Sequence, residues 1–154
     1  MTCTCIFNNK NNWGPVLWNI LHNIPVLLKS INDIDRVVEF VQNFYHILPC
    51  SVCQDHCREY LTLNAIILRV RNDLLSIKKD LMLYMYNFHN YVNNKNGKQT
   101  YPGFDIFLST PLPLIDYNII NKVFNNSQNK LFYDNLTEPA KIYKNNFITT
   151  LKSL

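Results

Sequence analysis

Glycine is scarce in this chain, three residues in 154, and the strict polar-apolar alternation of half-buried strands is missing from most of it. Both absences weigh against a sheet protein, which needs turn glycines and a period of two. Long hydrophobic runs are lacking as well: none approaches the roughly 20 residues of a membrane span, and Met1 to Asn12 has no apolar core of the signal-peptide kind. A soluble, unprocessed chain is expected. No block of like charges occurs, and the formal charge of +4 comes from 15 basic and 11 acidic residues spread along the sequence, which gives nucleic-acid binding little support. The five cysteines cannot pair evenly, so a structural disulfide framework is not expected: Cys3 and Cys5 form Cys-x-Cys, Cys50 and Cys53 form Cys-x-x-Cys, and Cys57 is left over.

What is present is 47% hydrophobic and 13% aromatic residues, enough for one compact core in a chain too short for two domains. Their spacing is helical, so the expected class is all-α: a small bundle of four core helices plus a short fifth, with a C-terminal helical extension. The first helix is expected from Trp13-Gly14-Pro15, with Pro15 in its first turn, Leu17, Ile20, Leu21 and Ile24 on its apolar face, and Pro25 kinking or ending it. A second helix, N-capped by Asn32, carries Ile34, Val37, Val38, Val41, Tyr45 and Leu48 at amphipathic spacing. The third starts at the Cys-x-x-Cys, residues 64–80 read as an insertion or helical extension, and the fourth covers about Asp80 to Asn94. Prolines make the stretch after Asn96-Gly97 a poor regular element, and a short helix spans Leu114 to Phe124. The expected organisation is a flexible arm over 1–12, a domain over 13–126, and an extension over 127–154 that adds one more helix after Thr137-Glu138-Pro139.

The chemistry concentrates in Leu48-Pro49-Cys50-Ser51-Val52-Cys53-Gln54-Asp55-His56. Pro49 suits a first helical turn, which places Cys50 where free N–H groups and the helix dipole favour a thiolate and speed thiol-disulfide exchange. Cys53 lies one turn deeper, so Cys50 is expected to be the accessible sulfur and Cys53 the inward one. Zinc is a rival: Cys50, Cys53, His56 and Cys57 offer four ligands, although a single short helical stretch does not easily wrap a tetrahedron. Two reduced, buried core thiols are the plain alternative.

Three segments in order, Trp13-Gly14-Pro15-x-x-Trp18-x-x-x-His22, Cys50-x-x-Cys53-x-x-His56, and His89-Asn90-x-Val92-Asn93 followed by Gly97-Lys98, resemble the Erv/ALR FAD-linked sulfhydryl oxidases, most closely the short viral members. The resemblance covers roughly residues 13–124. It implies a helical bundle, commonly homodimeric, that holds FAD against a redox disulfide. It assigns Cys50 and Cys53 to catalysis, and Gly14, Trp18, His22, Phe44, His56, His89, Asn90, Val92, Asn93 and Lys98 to the cofactor, with Lys98 meeting the pyrophosphate and no metal required. The implied activity takes electrons from reduced protein thiols through the disulfide and FAD to O2, giving H2O2. Cys3 and Cys5 are shuttle candidates, since many family members carry an extra cysteine pair on a flexible arm. A cytoplasmic setting, host cytoplasm or virion if viral, is expected ahead of the mitochondrial intermembrane space. A zinc-stabilised binding module and a non-catalytic FAD-binding scaffold are the alternatives. Departures from the family pattern include Tyr84, where a tryptophan is common, and the lack of a second structural cysteine pair.

Overall fold

The computed structural model describes residues 10–154. Cys3 and Cys5 lie outside the described residues. Within them every regular element is helical: nine α-helices and two short 3-10 turns.

Helix α1 (Lys10–Leu27) packs along α4 (Leu74–Lys95), and their contact forms the centre of the bundle. Leu17, Ile20, Leu21 and Ile24 recur at helical spacing on α1 and meet a core that contains Ile77, Leu81, Met85 and Phe88 of α4, each no more than 2% exposed. Burial of each such side chain contributes about 1.5–3 kcal/mol relative to exposure. Helix α1 starts before the expected Trp13, so Pro15 sits beyond its first turn, and Pro25 does not end it. Pro25 is itself buried, between Ile24 and a Leu28 that are both fully enclosed, so core packing outweighs the lost helix hydrogen bond.

The single second helix expected up to Leu48 is broken into three pieces. A 3-10 turn over Ile31–Asp33 is capped by the Ser30 hydroxyl, which accepts from the Asn32 N–H, and the N-cap position of the α-helix that follows is Asp33 and not Asn32. Helix α2 (Ile34–Gln42) follows, and then a second 3-10 turn over Phe44–Ile47. The Asn43 side-chain amide donates to the Glu39 carbonyl at 2.9 Å, competing locally with continuation of the helix.

Helix α3 (Ser51–Leu63) begins two residues after Pro49, which therefore lies outside it, with Cys50 as its N-cap. Residues 64–80, expected as an insertion or helical extension, form a loop and the first turns of α4, which starts at Leu74 with the Asp73 carboxylate accepting from the Leu75 N–H. Asp80, buried inside α4, anchors that loop by accepting from the Arg69 backbone N–H at 3.0 Å and from Arg69 Nε at 2.8 Å. The Arg69 guanidinium holds the Asp80 carboxyl below the usual carboxylate range.

Beyond α4 the proline-rich segment does contain a helix, α5 (Phe104–Ser109), followed by α6 (Tyr117–Asn125), which begins where Asp116 caps it and not at Leu114. The extension folds as three short helices in place of one: α7 (Ser127–Asp134), α8 (Ala140–Asn145) and α9 (Phe147–Ser153). They pack on the 3-10 turn before α3 through an aromatic cluster of Phe40, Phe44, Phe124, Tyr133, Tyr143 and Phe147.

Candidate active site

A cavity of about 400 Å³ opens beside the α1–α4 contact. Helix α1 lends it Trp13, Gly14, Trp18 and His22; α4 lends Phe88, His89, Val92 and Asn93; α3 lends Cys53 and Cys57. Phe44 and Leu48 come from the segment before α3, and Lys98 and Tyr101 from the loop after α4. The four-residue spacing of Trp18 to His22 and of His89 to Asn93 aims each pair from one face of its helix.

The Trp18 and His89 rings stack with centroids 3.8 Å apart and planes 9° apart. His22 Nε2 lies 2.8 Å from His89 Nδ1, so the two imidazoles share one proton and one of them must be the acceptor. Burial pushes His22 down to about 4, and burial together with the charges of His22 and Lys98 pushes His89 down to about 3. Both rings are therefore neutral at neutral pH. Two buried polar atoms on this wall, Trp13 Nε1 and His22 Nδ1, have no hydrogen-bond partner among the described residues. A methyl group added at Gly14 would meet no atom within 4 Å, so the backbone there borders open space.

Cys50 and Cys53 are joined in a disulfide. Cys50 Sγ also accepts from the Cys53 backbone N–H at 3.3 Å, which makes it the side-chain cap of α3. The sulfurs differ in access, but in the opposite sense to that expected: Cys50 is 3% exposed, whereas Cys53 is partly open and lines the cavity. Capping ties Cys50 down against Leu48, whose carbonyl accepts from both the Cys50 N–H and the Gln54 side chain. Cys57 lies one turn beyond Cys53 on the same wall, buried, and burial raises its thiol well above the ordinary value. The zinc alternative loses two of its four ligands to the disulfide, and among the described residues no group of three or more His, Cys, Asp or Glu side chains is arranged to hold a metal ion.

The Erv1 / Alr family model matches residues 15–108 of this chain. The chain belongs to the Erv1/Alr family. A provisionally named FAD-linked sulfhydryl oxidase of Invertebrate iridescent virus 3 is 33% identical over 89 residues, which are 56% of this chain and 57% of that protein. The match thus spans little more than half of that relative's length. An African swine fever virus protein named FAD-linked sulfhydryl oxidase is 29% identical over 91 residues, 57% of this chain and 71% of its own. A similarly named protein of Invertebrate iridescent virus 6 is 34% identical over 97 residues, 58% of this chain and 84% of its own. No solved structure matches the chain.

Of the residues that the resemblance to the Erv1/Alr family assigns to a cofactor, Gly14, Trp18, His22, Phe44, His89, Val92, Asn93 and Lys98 meet at the cavity; His56 and Asn90 do not line it. Asn90 faces the following loop, where its Oδ1 accepts from the Tyr101 N–H at 2.8 Å. The Tyr86 hydroxyl donates to the Tyr101 carbonyl, so both backbone groups of Tyr101 are held by α4 while its ring closes edge-on over His89. Sequence reasoning missed Trp13, Tyr101 and Cys57 as wall residues. Trp13 stands inside the first motif, whereas Tyr101 carries no spacing signal, because a loop brings it there. No helix among the described residues is long and apolar enough to cross a membrane.

Proposed function

We propose that this chain is an FAD-linked thiol oxidase that forms disulfides in reduced protein substrates and passes the electrons to dioxygen, releasing hydrogen peroxide. The observation that carries the reading is that Cys53, half of a disulfide, lines the same cavity as His22 and the Trp18–His89 stack in a chain of the Erv1/Alr family. The names of the viral relatives supply FAD and thiol oxidation as the chemistry to test.

The residues present fit a flavin nucleotide. Trp13 Nε1 is a donor in want of an acceptor, His22 Nδ1 can serve as donor or acceptor by choice of tautomer, and flat aromatic walls suit fused rings. Lys98 at the exposed rim supplies a cation for a pyrophosphate. Trp18, His22, His89, Val92 and Asn93 would hold the group from α1 and α4, with Phe44 and Gly14 shaping its walls. Bound FAD supplies a two-electron acceptor for the dithiol and a donor to dioxygen.

The protein's own part is thiol exchange. A substrate thiolate attacks Cys50, forming a mixed disulfide and releasing Cys53 as a thiolate; a second substrate thiol then displaces Cys50, leaving one substrate disulfide and both protein cysteines reduced. Cys53, on the cavity wall, is the cysteine placed to deliver the electrons inward. Because Cys50 is 3% exposed, the local structure around it must open before a folded substrate can reach it. Cys3 and Cys5 serve in this reading as a relay from bulky substrates, so replacing both slows protein substrates and spares dithiothreitol; equal effects on the two would dismiss the relay. The working form is a homodimer in the host cytoplasm or virion, which sedimentation and fractionation of infected cells would check.

The deciding experiment is the visible spectrum of the purified protein with added dithiothreitol. A flavin band near roughly 450 nm that bleaches without oxygen, and that recovers in air with peroxide accumulating, is the expected result. A colourless protein that refuses FAD would sink the reading, and bound flavin without turnover would leave a scaffold.

A further inference from the structure

The segment that leads into the disulfide is held from behind by helices that lie outside the family match, which ends at residue 108. Phe44 shows one side to the cavity and packs its ring against Phe147 of α9, centroids 5.9 Å apart. Three residues on, the Ile47 carbonyl accepts from the Tyr133 hydroxyl of α7 at 2.8 Å, a buried hydrogen bond spanning 86 positions of sequence. Leu48 then lines the cavity, and its carbonyl accepts from Cys50 and Gln54. Burial raises the Tyr133 hydroxyl well above its ordinary pKa, so it stays a donor throughout the working pH range.

We propose that the C-terminal extension is a brace for the redox centre, with Tyr133 and Phe147 as positioning residues that fix the Phe44–Cys50 segment and thereby favour the Cys50–Cys53 disulfide over the dithiol. Closing a disulfide requires both sulfurs in one narrow arrangement, and anchoring the chain before Cys50 removes part of the ordering cost from that step. Without the brace the reduced loop gains freedom that the oxidised loop lacks, and the equilibrium moves toward dithiol. The proposal rests on the thiol-oxidase reading only in taking this disulfide as the one that turns over.

The experiment equilibrates the full chain with glutathione and glutathione disulfide at graded ratios and reads the Cys50–Cys53 disulfide fraction by alkylation and mass. Disulfide plus two glutathione thiols gives dithiol plus glutathione disulfide, so electrons balance without flavin. Tyr133→Phe, which removes one oxygen, is expected to shift the equilibrium about threefold toward dithiol, the scale of part of one neutral hydrogen bond. Phe147→Leu should shift it in the same direction, and Leu131→Ala, on the exposed face of α7, should leave it unchanged. A role confined to fold stability would lower the melting temperature and leave the native protein's exchange equilibrium where it was. An unshifted equilibrium in both Tyr133→Phe and Phe147→Leu overturns the brace and leaves the oxidase reading standing. Failure to bind flavin would overturn the oxidase reading and leave this equilibrium measurable.

Discussion

His22 Nε2 and His89 Nδ1, 67 positions apart in sequence, lie 2.8 Å apart in the wall of the cavity, with Trp18 stacked on His89. The pair is neutral because burial opposes charging either ring, and each ring opposes charging the other. In the fold both groups bind protons less readily than their ordinary value of 6.5 allows. The unfolded chain therefore takes up protons first on acidification: the full stability is present above about pH 6.5 and is lost progressively as pH falls toward about 4 and 3. The melting temperature of wild type should drop by several degrees between pH 7 and pH 5, and His89→Gln should flatten that dependence. A variant as acid-sensitive as wild type would place the sensitivity elsewhere.

Cys50 and Cys53 act as a unit in the proposed exchange, so either serine variant removes the whole disulfide. Cys50→Ser and Cys53→Ser should each abolish thiol oxidation while flavin remains bound, since the Trp18–His89 stack and His22 are untouched. Absorbance for the flavin and peroxide release for the turnover separate the two effects. Full activity in either variant would refute the exchange mechanism.

The legible part of this site is what helices carry at fixed spacing. Trp18 and His22, Cys50 and Cys53, and His89 and Asn93 each sit on or at the start of one helix, so local sequence fixes their relation, and only the α1–α4 packing was needed to bring the groups together. The illegible part depends on contacts across the chain. The run from Ile34 to Leu48 reads as one amphipathic helix, yet Asn43 breaks it, and Tyr133 and Tyr143 hold the Ile47 and Phe40 carbonyls from about a hundred residues away. Pro25 reads as a kink or an end of the helix, and the helix runs on to Leu27 because propensity says nothing of the burial that offsets it. Cys50 reads as accessible from its helix-start position, yet in the fold it is buried, with its N–H tied to the Leu48 carbonyl.

Asn90 belongs to the His-Asn motif but holds a loop in place of lining the cavity. Its amide oxygen fixes Tyr101, whose ring meets His89 with centroids 5.0 Å apart. Asn90→Ala should free that loop and weaken flavin binding by about fivefold, the equivalent of roughly 1 kcal/mol for one hydrogen bond, with little change in thiol exchange at Cys50–Cys53. Flavin titration of the apoprotein measures the affinity, and an unchanged dissociation constant would show that Tyr101 stays in place without Asn90.

Cys57 shares the cavity wall with Cys53 but not its chemistry. It is 3% exposed, and burial raises its pKa, so little thiolate exists for an alkylating agent or a neighbouring disulfide to meet. Iodoacetamide at pH 8 should leave Cys57 unmodified in the native protein and label it promptly once the chain is unfolded. The protection should rise further on flavin binding, because the same cavity then excludes the reagent. Rapid labelling of the native protein would mean that α3 opens at Cys57 on the timescale of the reaction. An intruding Cys53–Cys57 disulfide would then compete with the redox pair, and peptide mapping of the aged protein would detect it.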